Sequence, residues 1–316
     1  MERVEYGGWP NCVRLTNGKI DLIATTDVGP RVIRLGFVGG ENEFHEDASQ
    51  LGKTGGDDWM CFGGHRLWHA PEAKPRTYAL DNTPVKFEMA GNTLRLMQDM
   101  ESTTGIEKSI EITVDQNSNH VELVHKITNR NLWSVELAPW ALSVMHSGGK
   151  AIIPNEPYSP HPDIPDFQGQ KIDPKYYLPT RNIVMWSYTN LGDPRFAFKS
   201  DCIIMRQDPD AKRPQKIGIS IEQSWGAYAR NGHLFVKNTQ YHQGATYPDQ
   251  GCNFEVFTNS DMLELESLGP IVTLAPGATT VHREDWYLLD NVNFEETDES
   301  IETNVLSKVS SVLKHR

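Results

Sequence analysis

Apolar and polar residues alternate with a period of two along most of this chain, the spacing that sends successive side chains of a β-strand to opposite faces. Val85, Phe87 and Met89 alternate with Lys86 and Glu88, and Ile106, Ile110, Ile112 and Val114 with Glu107, Ser109, Glu111 and Thr113. Val121, Leu123 and Ile127 oppose Glu122, Lys126 and Thr128 in the same way. One packed face and one wet face suit antiparallel sheets. Further strands are predicted over 11–16, 19–25, 31–38, 133–145, 181–188, 195–206, 216–222, 226–230, 233–237, 253–258, 262–266 and 279–289. Turn signals separate many of them: Asn17-Gly18, Gly39-Gly40, Ala90-Gly91-Asn92 and the hairpin dipeptide Asn231-Gly232.

Helical spacing is confined to the tail, where Ile301, Val305, Leu306, Val309, Val312 and Leu313 recur behind a Thr297/Asp298 start. Lys308, Lys314, His315 and Arg316 suit the negative end of a helix dipole. Two stretches resist strand assignment: 40–80, rich in Gly, Asp, His and Trp, and 154–181, which carries Pro154, Pro157, Pro160, Pro162, Pro165, Pro174 and Pro179. Trp59, Trp68, Tyr158, Tyr176 and Tyr177 within them favour ordered loops over a sheet face. The expected fold class is all-β, a large antiparallel β-sandwich. One domain is expected over 1–295, with an amphipathic helix over 296–316 docked on it or on a second subunit of a homodimer.

Composition narrows the function. The chain of 316 residues carries 42 acidic against 30 basic residues, a formal charge of −12, which argues against a phosphate-binding surface for nucleic acid. Mean hydropathy is −0.50, and no window reaches the ~20 apolar residues of a spanning helix, so no membrane association is expected. Cys12, Cys61, Cys202 and Cys252 are too scattered for a disulfide frame or zinc knuckle. The opening residues lack the basic and apolar regions of a signal peptide, and a cytoplasmic location is the expectation. Eight Trp and 11 His suit sugar stacking and acid–base chemistry.

Three strings concentrate chemistry. Cys61-Phe62-Gly63-Gly64-His65-Arg66-Leu67-Trp68-His69-Ala70-Pro71-Glu72 joins a glycine pair to two imidazoles, a guanidinium, an indole and a carboxylate. If extended, it places His65, Leu67 and His69 on one face and Arg66 and Trp68 on the other. A loop with histidines satisfied by backbone carbonyls is as good a reading, and a metal site on His65 and His69 alone is weak. Asp261-Met262-Leu263-Glu264-Leu265-Glu266-Ser267-Leu268-Gly269-Pro270, read as a strand, places Glu264 and Glu266 on one face, as a base and polyol anchor or as an ordinary solvated face. Tyr241-His242-Gln243-Gly244-Ala245-Thr246-Tyr247-Pro248-Asp249 is dense in polar and aromatic groups. Trp140 reads more readily as core than as a binding platform. No nucleophile elbow, P-loop, HExxH or Rossmann fingerprint is present, leaving a cofactor-free and metal-free site of His, Glu, Asp, Arg and Trp.

These strings resemble the galactose mutarotase-like superfamily of aldose 1-epimerases and hexose-6-phosphate epimerases, in a branch marked by Gly-Gly-His-Arg-Leu-Trp. The resemblance spans about 10–290 and implies a β-supersandwich. Gly63 to Pro71 match the glycine-pair segment, Glu136 to Leu142 the strand bearing the acid histidine, and Met262 to Glu266 the strand ending in the base. It therefore implies Glu266 as base; His65, His146 and His242 are candidate acids by residue type, not by motif. Arg31, Arg66, Trp68, Glu72, Trp140, Asp249 and Glu264 are candidate contacts to a small sugar or oligosaccharide. In mutarotation a base removes the anomeric hydroxyl proton, an acid protonates the ring oxygen, and the two exchange roles when the ring recloses. Ala138 stands where the family has its acid histidine, and Phe62 where an arginine precedes the glycine pair. Three functions follow: a sugar epimerase-like enzyme, a lyase or glycosidase on the same fold, or a carbohydrate-binding or sensing protein that has lost the acid.

Overall fold

The computed structural model describes residues 1–159, 161 and 177–313. Much of the proline-rich stretch, with Tyr176, Lys314, His315 and Arg316, lies outside the described residues. Two antiparallel sheets pack face to face. In spatial order the 11-stranded sheet runs β1 (Glu2–Tyr6), β2 (Trp9–Thr16), β3 (Ile20–Thr25), β4 (Arg31–Phe37), β5 (Gly64–Ala70), β10 (Val135–Met145), β19 (Leu263–Leu268), β18 (Phe254–Thr258), β15 (Gln215–Ile219) and β12 (Ile183–Met185). β20 (Val272–Leu274) also pairs with β10. The 10-stranded sheet runs β13 (Phe196–Phe198), β14 (Cys202–Arg206), β11 (Lys150–Pro154), β16 (Trp225–Arg230), β17 (His233–Thr239), β21 (Thr279–Leu289), β9 (His120–Asn129), β8 (Ile106–Val114), β7 (Thr93–Met97) and β6 (Lys86–Ala90).

The period-two faces become the interior. Ile110, Ile112, Leu123 and Ile127 of one sheet meet Leu22, Val32 and Leu67 of the other in a continuous core. Asn231 and Gly232 both adopt positive φ in the two-residue turn joining β16 to β17, the conformation that matches strand twist. The expected strand over 195–206 is divided, because Lys199 N–H bonds back to the Cys202 carbonyl and closes a turn. β5, expected within a loop, is instead a central strand buried along its whole length. Both of its faces carry polar residues, which erases the alternation that marks a strand with one wet face.

The tail is helical: Asp298–Ile301 and Ser307–Leu313 are α-helical, with a π-helical stretch at Glu302–Leu306. The Thr297 hydroxyl accepts from Ser300 N–H and caps its start. Ile301, Val305 and Val309 pack on Ile152, Ile204, Trp225 and Val236, covering the outer face of the 10-stranded sheet.

Candidate functional site

The sheet register brings the sequence strings together. Arg66 of β5 is paired with Leu142 of β10, Leu142 with Glu266 of β19, and Glu266 with Glu255 of β18. Antiparallel partners share a face, so these side chains project to the same side of the sheet, with Trp68, Trp140 and Glu264 beside them. That side, turned away from the second sheet, holds a cavity of about 240 Å3. Trp59, Trp68, Trp140, Tyr78, Tyr188, Arg66, Glu72, Lys216 and Glu264 contribute to its wall.

The aromatic rings form a linked set. Trp68 lies 5.5 Å from Trp59, 5.0 Å from Tyr78 and 5.4 Å from Trp140, centroid to centroid. The Arg66 guanidinium sits 4.5 Å above the Trp68 ring and donates to Glu264 Oε1 at 2.8 Å. Tyr78 donates to Glu72 at 2.5 Å, which presents that exposed carboxylate at the cavity.

Glu266 sits behind the wall. It is wholly buried; Trp140 Nε1 donates to its Oε2 at 2.8 Å and Lys216 Nζ at 3.1 Å. Lys216 also pairs with Glu255 at 2.7 Å and lies between the Trp140 and Trp186 rings. Burial raises both carboxyls above the ordinary carboxylate range, against the pull of the Lys216 ammonium. Burial opposes the charge on Lys216, but Glu266 and Glu255 outweigh it and hold the ammonium above its usual pKa.

His65 projects to the opposite side of β5, into the space between the sheets. Its Nδ1 lies 2.9 Å from Ser143 Oγ and its Nε2 2.8 Å from His125 Nε2, while His125 Nδ1 donates to the His282 carbonyl at 3.0 Å. Glu284 completes this cluster, accepting from Lys237 Nζ at 3.0 Å and Trp286 Nε1 at 2.8 Å. His65, His125 and Glu284 converge closely enough to hold a metal ion, but the Lys237 ammonium already supplies the positive charge at Glu284. Burial drives His65 and His125 down and His282 to about 3, which favours the neutral form of each ring.

Of the residues expected at the site, Arg66, Trp68, Glu72, Trp140 and Glu264 line one cavity, and Glu266 lies directly beneath it. The others are placed elsewhere. His65 is on the reverse face because strand alternation separates it from Arg66. His242 is exposed in a turn whose N–H bonds to the Tyr247 hydroxyl. Arg31 is consumed by Asp81 at 2.6 Å and by the Cys61 and Gly63 carbonyls, shaping the entry to β5. Asp249 stands in a positive-φ turn outside the cavity lining. Lys216, Glu255, Tyr78 and Tyr188 carry no distinguishing signal in the sequence: Lys216 and Glu255 have the spacing of ordinary solvated strand positions.

A face-to-face pair of many-stranded antiparallel sheets, with an aromatic and charged hollow on one outer face, defines a β-supersandwich. Slr1438 from Synechocystis sp. PCC 6803 is 11% identical with a TM-score of 0.55, covering 92% of this chain and 100% of its own. A galactose mutarotase-like protein from Lactobacillus casei ATCC 334 is 8% identical with a TM-score of 0.53, covering 88% of this chain and 100% of its own. A provisionally assigned aldose 1-epimerase from Klebsiella pneumoniae subsp. pneumoniae MGH 78578 is 13% identical with a TM-score of 0.51, covering 91% and 82%. No family model and no curated protein sequence matches the chain. The chain has the galactose mutarotase-like fold. Among the described residues no helix is long and apolar enough to cross a membrane.

Proposed function

We propose that the cavity binds a single sugar ring, so that the protein is a carbohydrate-binding member of a fold otherwise associated with aldose epimerisation. The supporting observation is the Arg66–Glu264 ion pair at 2.8 Å set among Trp59, Trp68, Trp140 and Tyr78. Indole faces stack on the C–H face of a pyranose, while the ion pair and Glu72 supply donors and acceptors for its hydroxyls. Among the described residues no imidazole lines this cavity, and Ala138, at the position that corresponds to the acid histidine, is buried against Trp68 and Trp140. The test is a panel of aldoses, uronates and hexose phosphates screened by saturation-transfer NMR, with anomer interconversion followed in the same samples. Binding that is lost in Trp59→Ala, without faster interconversion, supports the reading; no binding by any member of the panel removes it.

A catalytic reading rests on the elevated carboxyls of Glu266 and Glu255 beneath Lys216. A rearrangement of Trp140 and Lys216 would present Glu266 as the base for an aldose epimerase-like reaction. Accelerated interconversion that Glu266→Gln abolishes, with binding retained, selects this reading over the first.

A further inference from the structure

A different cavity, of about 350 Å3, lies at the other end of β5, with His69, Arg76, Ile106, Val135, Glu136 and Leu137 in its wall. His69 is 1% exposed, and both of its ring nitrogens lack a hydrogen-bond partner on the protein. A buried polar group left unpaired is unfavourable, so a ring held this way behind a cavity wall is a candidate partner for a ligand. Arg76 reinforces the point: its guanidinium donates to the Pro71 carbonyl, but its buried Nε has no partner. The nearby ammonium of Lys108 is already matched by Glu101 at 2.5 Å, which leaves Arg76 as the cation available to a ligand.

We propose that this cavity is a binding site for a small monocarboxylate with a short branched apolar body. The carboxylate pairs with the Arg76 guanidinium and, as the ligand displaces the cavity wall over the buried ring, accepts from the His69 N–H, while the apolar body lies against Ile106, Val135 and Leu137. Burial, with Lys108 and Arg76, pushes His69 down to about 3, so the ring is a neutral donor whose role needs no proton from solvent. Glu136 is exposed on the cavity wall and disfavours a second negative charge on the ligand.

The probe is isovalerate, titrated into the full chain with ring-nitrogen NMR of His69 and calorimetry. A ligand of this size is expected to bind with a Kd of about 1 mM. Arg76→Met alters a half-buried side chain and is expected to weaken binding about tenfold, through loss of a charge-assisted bond. Succinate is expected to bind more weakly than isovalerate. An unmoved His69 resonance, equal affinity in Arg76→Met, or succinate binding as tightly as isovalerate would each overturn the proposal. The outcome is independent of whether the tryptophan-lined cavity takes a sugar.

Discussion

Glu255 and Glu266 stand directly opposite each other on neighbouring strands, and a single ammonium, that of Lys216, pairs with both, at 2.7 and 3.1 Å. Like charges facing each other across a strand pair are unfavourable, and burial removes the water that would screen them. The three groups form one titrating unit in which a proton on a carboxyl relieves the mismatch of two anions against one cation.

Removing that cation exposes the mismatch. Lys216→Met is expected to lower stability by about 3–5 kcal/mol at pH 8, the usual cost of leaving buried charge unpaired. Both carboxyls have folded pKa values above their unfolded ones. Their stabilising contribution is therefore present at low pH and lost as pH rises through the folded values. The deficit of the variant is expected to shrink at pH 5, as measured by urea unfolding at the two pH values.

The ion pair at the cavity separates fold from binding. Glu264→Ala strands the Arg66 guanidinium, only 3% exposed, and is expected to cost about 3 kcal/mol. Arg66→Met combined with Glu264→Leu is expected to recover most of that stability while sugar binding stays lost. Chemical denaturation and saturation-transfer NMR on the same three proteins check both halves.

The inter-sheet histidines are expected to make the fold acid-sensitive. His282 has a folded pKa of about 3, depressed by burial, whereas an unfolded chain protonates this ring near 6.5. Its contribution is complete above 6.5 and is lost as pH falls toward the folded value, at about 1.4 kcal/mol per pH unit. His65 and His125 act in the same direction. His282→Gln is expected to flatten the fall in unfolding free energy between pH 6 and pH 4 by about one proton's worth of slope.

The glycine pair at the start of β5 is fixed by close backbone approach. A Cβ on Gly64, at φ +70°, would lie 2.2 Å from the Val32 carbonyl oxygen, and one on Gly63 2.0 Å from that of His45. Gly64→Ala is expected to destabilise by more than about 3 kcal/mol, combining left-handed strain with a backbone clash. Thermal unfolding of Gly64→Ala beside Gly18→Ala, where a Cβ meets nothing, separates the two causes.

The all-β architecture was legible because most strands carry an apolar face into the inter-sheet core, as Ile110, Ile112, Leu123 and Ile127 do. β5 was hidden because its two faces hold two different polar environments: Arg66 beside Glu264, and His65 beside His125. The Glu264/Glu266 pair was readable on one strand, but their unequal environments were not. Those depend on Lys216, about fifty positions earlier, which only the β15–β18–β19 register brings alongside. His242 and Asp249 were attractive through local density alone, and local density does not decide which way a turn points.

The helical tail shields Ile152, Ile204, Trp225 and Val236 from solvent. A chain cut after Asp290 would bare that greasy plateau and become self-adhesive. Its failure would first register as precipitation during expression, before any ligand assay could be run.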